Sequence, residues 1–312
     1  VIQAASAFTI VQAAFGWLVD NYTRLADWSA GARRIASLMV SLDALERAEE
    51  GHGVGRITRN EGNSPDIAMR LTDLSVTLDD GTVVIGDAEV AIAPGERILL
   101  AGKSGTGKST LVRAIAGLWP WGGGIIEIKS GAKLFLLPQR PYVPIGSLHR
   151  AATYPSPAED WSAENVSEIF LLCGLEHLVD RLEQEDQWDQ ILSGGEKQRL
   201  AFVRIFLHQP DIVVFDEATS ALDPVSQDHL MTLVSEFLPN ATVVSVAHRP
   251  ELEAFHSRKI ILERNEGGAR FVRDIDLFNQ FRRKMRQRPR WLRRRESRSK
   301  SPNDRHDPAR KH

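Results

Sequence analysis

The sequence has 312 residues, 42% hydrophobic and 26% charged, with a formal net charge of −2. That composition excludes a chain too polar to fold and leaves ample length for a buried core in one or two domains. A single cysteine, Cys173, excludes an internal disulfide and points to a reducing compartment. Cys173 sits in an apolar run without metal-ligand spacing and reads as a small buried hydrophobe. The net charge hides an asymmetry: residues 281–312 hold fourteen Lys/Arg against three Asp/Glu, a balance of +11 that leaves −13 for the rest.

In chain order, residues 1–48 read as one helix, with Trp17, Leu18, Leu25, Trp28, Ile35, Leu38, Leu42 and Leu45 at helical spacing. Residues 1–19 are largely apolar, interrupted by Gln3, Ser6, Thr9 and Gln12, and no basic segment precedes them, so they are not a signal peptide. They read either as the end of a membrane-spanning helix, which needs about 20 residues, or as an amphipathic or core helix. The first residue is Val1 rather than methionine, which is taken as a truncated start and favours the membrane reading. Residues 49–65, rich in Gly, Asn and charge, read as a linker. Residues 66–275 alternate strand-like and helix-like runs, the pattern of an α/β domain. Within them, residues 67–78 and 82–92 are expected as strands joined at Asp79-Asp80-Gly81, and 97–101 as a short apolar strand. Residues 146–191 read as a helical insert, with helices over 165–173 and 175–182 and Ser162 as an N-cap. Residues 276–312 form a basic tail, partly disordered, whose arginine-dense stretch carries Trp291 and Leu292. It suits a solvated tail, anionic lipid or nucleic acid. No internal repeat is present and each motif occurs once, so the chain is a half-unit.

Three segments carry chemistry. Gly102-Lys103-Ser104-Gly105-Thr106-Gly107-Lys108-Ser109, followed by Thr110, fits a phosphate-binding loop between an apolar strand and a helix expected from Ser109. Its glycines let backbone N–H groups turn inward, and the helix start adds partial positive charge. Lys108 is placed to reach the β- and γ-phosphates of ATP, and the Ser109 hydroxyl to take a Mg²⁺ position. Next, Ile212-Val213-Val214-Phe215-Asp216-Glu217 is a buried-strand run ending in two acids. Asp216 would hold Mg²⁺ through water, and Glu217 would polarise the attacking water as general base. Third, Leu192-Ser193-Gly194-Gly195-Glu196-Lys197-Gln198-Arg199 is a second anion nest at a helix start.

This last string closely resembles the signature of the ABC ATPase family. The resemblance implies a P-loop NTPase core with an antiparallel β-subdomain and a helical subdomain, preceded here by a partial transmembrane helix. It implies that two such domains pair head to tail, so that Ser193, Gly194, Gly195 and Glu196 of one close on the γ-phosphate held by the other. Further matches follow. Gln139, in Leu137-Pro138-Gln139-Arg140, resembles the Q-loop glutamine that senses Mg²⁺ and water. Ser220-Ala221-Leu222-Asp223 resembles the D-loop, in which Asp223 couples the two sites. His248, after an expected strand over 242–246, resembles the switch histidine at the γ-phosphate. The helical insert would receive the coupling helix of the membrane domain, with Arg140, Tyr142 and Trp161 as candidate contacts or as ordinary surface and packing residues. The string from Leu137 to Leu148 and Val19-Asp20-Asn21-Tyr22 resemble bacterial half-transporters of the peptide and vitamin B12 uptake type and peroxisomal fatty acyl transporters.

The family reading implies Mg²⁺-dependent ATP hydrolysis driving transport, with an upstream transmembrane domain and an identical second chain as partners. It implies a plasma (inner) membrane location with the ATPase on the cytoplasmic face. A soluble ABC ATPase acting on nucleic acid or ribosomes through the basic tail is the rival reading. One departure stands out: where many members stack adenine on an aromatic, this chain offers Val76, Thr77 and Leu78. Apolar contact by Leu78 would forgo about 1 kcal/mol, and GTP is expected to be accepted as well.

Overall fold

The computed structural model describes residues 2–49, 55–78, 80–265, 267–279 and 281–282. It divides into two units, residues 1–56 and 57–312. The tail from residue 283 onward, including Trp291 and Leu292, lies outside the described residues.

Among the described residues, the first unit holds one helix, α1 (Ile2–Glu49), matching the expected periodic run. Only Gly16 and Gly31 weaken it, at about 1 kcal/mol each. Phe8, Phe15, Trp17, Trp28 and Leu38 are exposed along it. No described helix is long and apolar enough to cross a membrane. The apolar stretch up to Val19 runs on without a break into Asp20, Arg24 and Asp27 of the same helix.

The second unit is built on a ten-stranded sheet in the order β1-β5-β2-β3-β12-β11-β4-β10-β9-β6. Its first strands are β1 (Thr58–Gly62), β2 (Met69–Thr77), β3 (Val83–Ile92) and β4 (Arg97–Gly102). Helix α2 (Lys108–Ile115) follows, then β5 (Gly122–Lys129) and β6 (Leu134–Leu137). The insert holds the two-residue strand β7 (Gly146–Ser147), α3 (Leu148–Thr153), α4 (Ala163–Leu172), β8 (Glu185–Asp186) and α5 (Trp188–Ile191). Ser162 caps α4 as expected, accepting from the Asn165 N–H at 3.2 Å. The chain closes with α6 (Gly194–His208), β9 (Ile212–Asp216), α7 (Pro224–Phe237), β10 (Thr242–Val246), β11 (Arg258–Asn265) and β12 (Gly268–Asp276).

Two expectations are corrected. The stretch read as a linker contains β1, which pairs in parallel with β5 from Thr58↔Ile125 to Gly62↔Lys129. Its sequence, TRNEG, has no apolar alternation, because a strand at the sheet edge is held by backbone hydrogen bonds. Residues 176–181, inside a predicted helix, form 3₁₀ turns instead. Gly174, with φ of 71°, has already broken the path of α4.

The strands beside the phosphate loop are parallel: β4 with β10, β10 with β9, β9 with β6. Both faces of this part are covered. Ile212 and Val214 of β9 join a core with Leu111, Val112 and Ile115 of α2. Val213 and Phe215 join the other core, with Phe202 and Phe206 of α6 and Leu233 and Val234 of α7. The period-two alternation of one strand thus feeds two cores, which is why its sequence reads as continuously apolar. Antiparallel pairing appears on the other side, β2 with β3 and with β5, and β11 with β12.

Two buried polar groups lock β4 and β10 in place. The Arg97 guanidinium, 2% exposed, donates to Ser235 Oγ at 3.1 Å and to the Leu238 carbonyl at 2.9 Å, and burial lowers its pKa to about 10. It ties β4 to the end of α7. His256, fully buried, lies 2.7 Å from the Leu252 carbonyl through Nδ1 and 2.7 Å from Ser245 Oγ through Nε2. A carbonyl only accepts, so Nδ1 carries the proton and Nε2 accepts from Ser245.

Burial depresses the His256 pKa to about 4. The unfolded chain therefore takes up a proton as pH falls below about 6.5, whereas the folded chain does not until about 4, and stability is lost across that window. Between pH 6.5 and 5.5 His256 should remove roughly 1 kcal/mol of unfolding free energy. Urea titrations of the wild type and His256→Gln at both pH values measure this as the difference between their pH slopes; equal slopes would contradict it.

Candidate functional site

Strand β4 delivers the phosphate loop. Ile98, Leu99 and Leu100 are buried, so the strand is fixed on both faces up to Gly102. Gly107 then caps α2 in a left-handed conformation, φ 85°, with no side-chain hydrogen bond to the cap, so the first N–H groups of the helix are left for a ligand. A Cβ at Gly107 would meet Val84 Cγ1 at 2.2 Å, so any other residue would push the loop off β3. At Gly105, φ 77°, a Cβ would meet nothing within 4 Å, because the position opens into the cavity.

The cavity is about 350 Å³ and is lined by Ser104, Gly105, Thr106, Gly107, Lys108, Ser109 and Thr110 together with Glu217 and His248. Gly102 and Lys103, also predicted as nucleotide contacts, turn their carbonyls to Lys108 instead. The Lys108 ammonium donates to them at 2.9 and 2.7 Å and to Thr106 Oγ1 at 3.3 Å. Burial lowers the pKa of Lys108, against which the carboxylates of Glu217 and Asp216 act. A cation stored inside its own loop can be handed to an incoming phosphate by exchanging carbonyl acceptors for anionic oxygens.

The acids stand where the strand run predicts. Asp216, 3% exposed at the end of β9, accepts a 2.6 Å hydrogen bond from Ser109 Oγ. Glu217 follows in the left-handed region, φ 51°, with its N–H donating to the Val246 carbonyl at 3.1 Å. A non-glycine residue held there costs on the order of 1 kcal/mol and is found where a side chain must be aimed. Its carboxylate accepts from Gln139 Nε2 at 3.0 Å and lies 3.1 Å from His248 Nε2. Gln139, Glu217 and His248 thus form one chain of contacts, and Ser109 and Asp216 a second beside it.

The residues fit Mg²⁺ with a nucleotide triphosphate. Gly105 leaves a cradle that a Cβ would fill, and Ser109 and Asp216 offer a hydroxyl and a carboxylate within 2.6 Å of each other. Mg²⁺ takes one or two such protein ligands and completes its shell with phosphate and water.

The signature segment stands apart. Ser193 caps α6 in a reciprocal box: it accepts from the Glu196 N–H at 3.3 Å, and its own N–H donates to Glu196 Oε2 at 2.8 Å. Glu196 also lies 2.7 Å from His177 Nε2. Burial raises its pKa, but hydrogen bonds from Ser193 and His177 outweigh this and hold the carboxyl below its ordinary value. Ser193 and Gly194 are exposed, and none of the four signature residues lines the cavity of its own chain. Asp223 caps α7, accepting from the N–H groups of Val225 and Ser226, both at 3.0 Å.

Two residues escaped the sequence reading. Gln198, 2% exposed on α6, donates to the Gln139 carbonyl and to Ser220 Oγ, both at 3.2 Å, and accepts from the Ala221 N–H at 2.9 Å. Arg249, next to His248, donates to the Leu222 carbonyl at 2.9 Å and the Ser220 carbonyl at 3.2 Å. The signal was a long polar side chain inside each motif, but its target could not be read without the fold. Of the candidate docking residues, Arg140 and Tyr142 are exposed. Trp161 packs edge-on against His208, ring centroids 5.4 Å apart, so it takes the packing role.

The family "ABC transporter" matches residues 85–220, a span holding the phosphate loop, Gln139, the signature, Asp216 and Glu217. The chain carries an ABC transporter ATP-binding domain. It is similar to an ABC transporter ATP-binding protein of Synechocystis, 35% identical over 82% of this chain and 39% of that protein. It is also similar to ATP-binding cassette sub-family D member 1 of Drosophila melanogaster, 36% identical over 53% of this chain and 24% of that protein. The fold resembles that of a bacterial Atm1-family ABC exporter with ATP bound, with a TM-score of 0.59 at 22% identity over 78% of this chain and 45% of that one. The chain thus spans two fifths or less of these curated relatives' length. Asp223 and His248 of the ABC domain lie past the matched span, and their places come from the structure.

Because Gln198 is buried and bonded on both sides, Gln198→Ala should cost about 2 kcal/mol of unfolding free energy, whereas exposed Gln139→Ala should cost under about 1. Urea unfolding of both variants measures the contrast, and equal costs would contradict it.

Proposed function

We propose that this ABC domain binds ATP with Mg²⁺, hydrolyses it, and powers movement of a substrate across a membrane. The single observation that carries the reading is the convergence of Ser109, Asp216, Glu217, Gln139 and His248 at one end of a phosphate cradle. Lys108 and the first N–H groups of α2 hold the β- and γ-phosphates. Ser109 and Asp216 would hold Mg²⁺, which would supply charge neutralisation to the phosphate oxygens. Glu217 acts as general base. Its two oxygens are engaged by Gln139 and His248, so a water reaches it when His248 turns to the γ-phosphate and frees Oε1. Gln139 stays on Oε2 and keeps the carboxylate aimed.

The second half of the reading is a head-to-tail pair with an identical chain. The exposed α6 start offers Ser193, Gly194 and Gly195 with Glu196 already anchored, a nest that its own phosphate loop does not use. Closure of Ser193–Glu196 from the second copy onto the γ-phosphate would make ATP the bridge, with Asp223 at the seam. Loss of that phosphate reopens the pair and resets the membrane domain. The helix α1 is assigned to the end of that membrane domain, and the ABC domain to the cytoplasmic face of the plasma (inner) membrane. The relatives' names favour this over action on nucleic acid or ribosomes.

Glu217→Gln should keep ATP binding and lose at least about hundredfold in turnover. Filter binding and a phosphate-release assay measure the two, and wild-type turnover would remove Glu217 from the role. Specific activity of the 312-residue chain should rise with protein concentration, since each site needs two chains; constant specific activity across dilution would contradict the shared site.

A further inference from the structure

The cavity has a second wall that the hydrolysis reading leaves unused. Beyond the phosphate loop it is lined by Leu78, Thr82, Val83, Val84 and Arg264. Three of these are apolar, and the fifth is a cation at the far end of β11. The sheet accounts for its presence: Arg264 pairs with Ala269 of β12, and Ala269 pairs with Ile85 of β3. That row brings β11 beside the start of β3, where Val84 touches the Gly107 position of the phosphate loop. Arg264 is exposed, and among the described residues no hydrogen bond or ion pair claims its guanidinium.

We propose that Arg264 is the nucleobase contact of this site, its guanidinium lying flat on the purine while Leu78 and Val84 support the apolar side. The proposal rests on the ATP-binding reading above and adds the element that reading lacks. With triphosphate on the Lys108 end of the cavity, the nucleoside extends toward this second wall. A leucine gives a base face only dispersion, whereas a planar guanidinium stacks on it and adds cation–π attraction. Neither partner reads the hydrogen-bonding edge of the base, so the contact is base-tolerant. Purine nucleoside triphosphates are the ligand class, with ATP and GTP held about equally.

The test is calorimetric titration of the 312-residue chain, with Mg²⁺, using ATP, GTP and inorganic tripolyphosphate. Arg264→Ala should weaken ATP and GTP about tenfold each and leave tripolyphosphate within about twofold. Arg264→Gln, which keeps most of the stem, should behave alike, and adding Leu78→Tyr to Arg264→Ala should recover most of the ATP affinity. Unchanged ATP affinity in Arg264→Ala would overturn the assignment. So would an equal loss for tripolyphosphate, which would make Arg264 a phosphate ligand. A wild-type chain that binds neither ATP nor tripolyphosphate is a different result, one that overturns the function reading itself.

Discussion

Everything at this site depends on one short hydrogen bond, from the hydroxyl of Ser109 to the carboxylate of Asp216 at 2.6 Å. It joins the first turn of α2 to the end of β9, two elements separated in the chain by β5, β6, the whole helical insert and α6. It forms because β4, β10 and β9 run parallel and in register, so Asp216 at the end of β9 lies level with Leu100 of β4, with β10 between them. A hydroxyl and a carboxylate in contact form half of a hard-cation site, and the neighbouring helix start forms an anion site. Charge of both signs can then be taken up within one cradle.

The strain at Glu217 follows from the same register. Strand β9 ends at Asp216, and an extended continuation would send the next side chain to the opposite side of the sheet. The left-handed turn, secured by the Glu217 N–H on the Val246 carbonyl, redirects the carboxylate toward Gln139 and His248. Consecutive acids thereby reach one cavity, Glu217 as a lining residue and Asp216 through Ser109, which regular strand geometry would forbid. The cost of that conformation is carried by the buried strands on either side, all of whose residues are buried in β9 and β10.

Legibility in the sequence follows the range of the interactions. The phosphate loop, the acidic strand and the capping box at Ser193 are strings whose own residue types set their backbone, and each falls where the sequence puts it. Leu78 is placed at the site only by the resemblance to the family's adenine-stacking position, and it does line the cavity wall. What escaped is whatever depends on a distant partner. Thr58–Gly62 is a strand only because β5 offers it an edge. Gln198 and Arg249 are clamps only because other loops arrive beside them. Arg264 is a hairpin residue like any other until β12 carries that hairpin to β3.

Those two clamps bear on how a binding event could travel. Gln198 holds the Gln139 backbone with one end of its amide and the Ala221 backbone with the other, and it sits one turn from Ser193 on the same helix. Arg249 fastens the Ser220–Leu222 carbonyls to the residue that follows His248. The Gln139 loop, the signature helix and the 220–223 loop are therefore joined by buried or half-buried hydrogen bonds whose loss would leave polar backbone unpaired. Such a body moves as one piece, because separating any member costs on the order of 1–3 kcal/mol per orphaned group. A shift of the Gln139 backbone, with the side chain still on Glu217, would then displace Ser193 and Asp223 together. That makes a single rigid connection, and not a relay of independent loops, the physical link between the Glu217 carboxylate, proposed to activate water, and the surface proposed to meet a second chain.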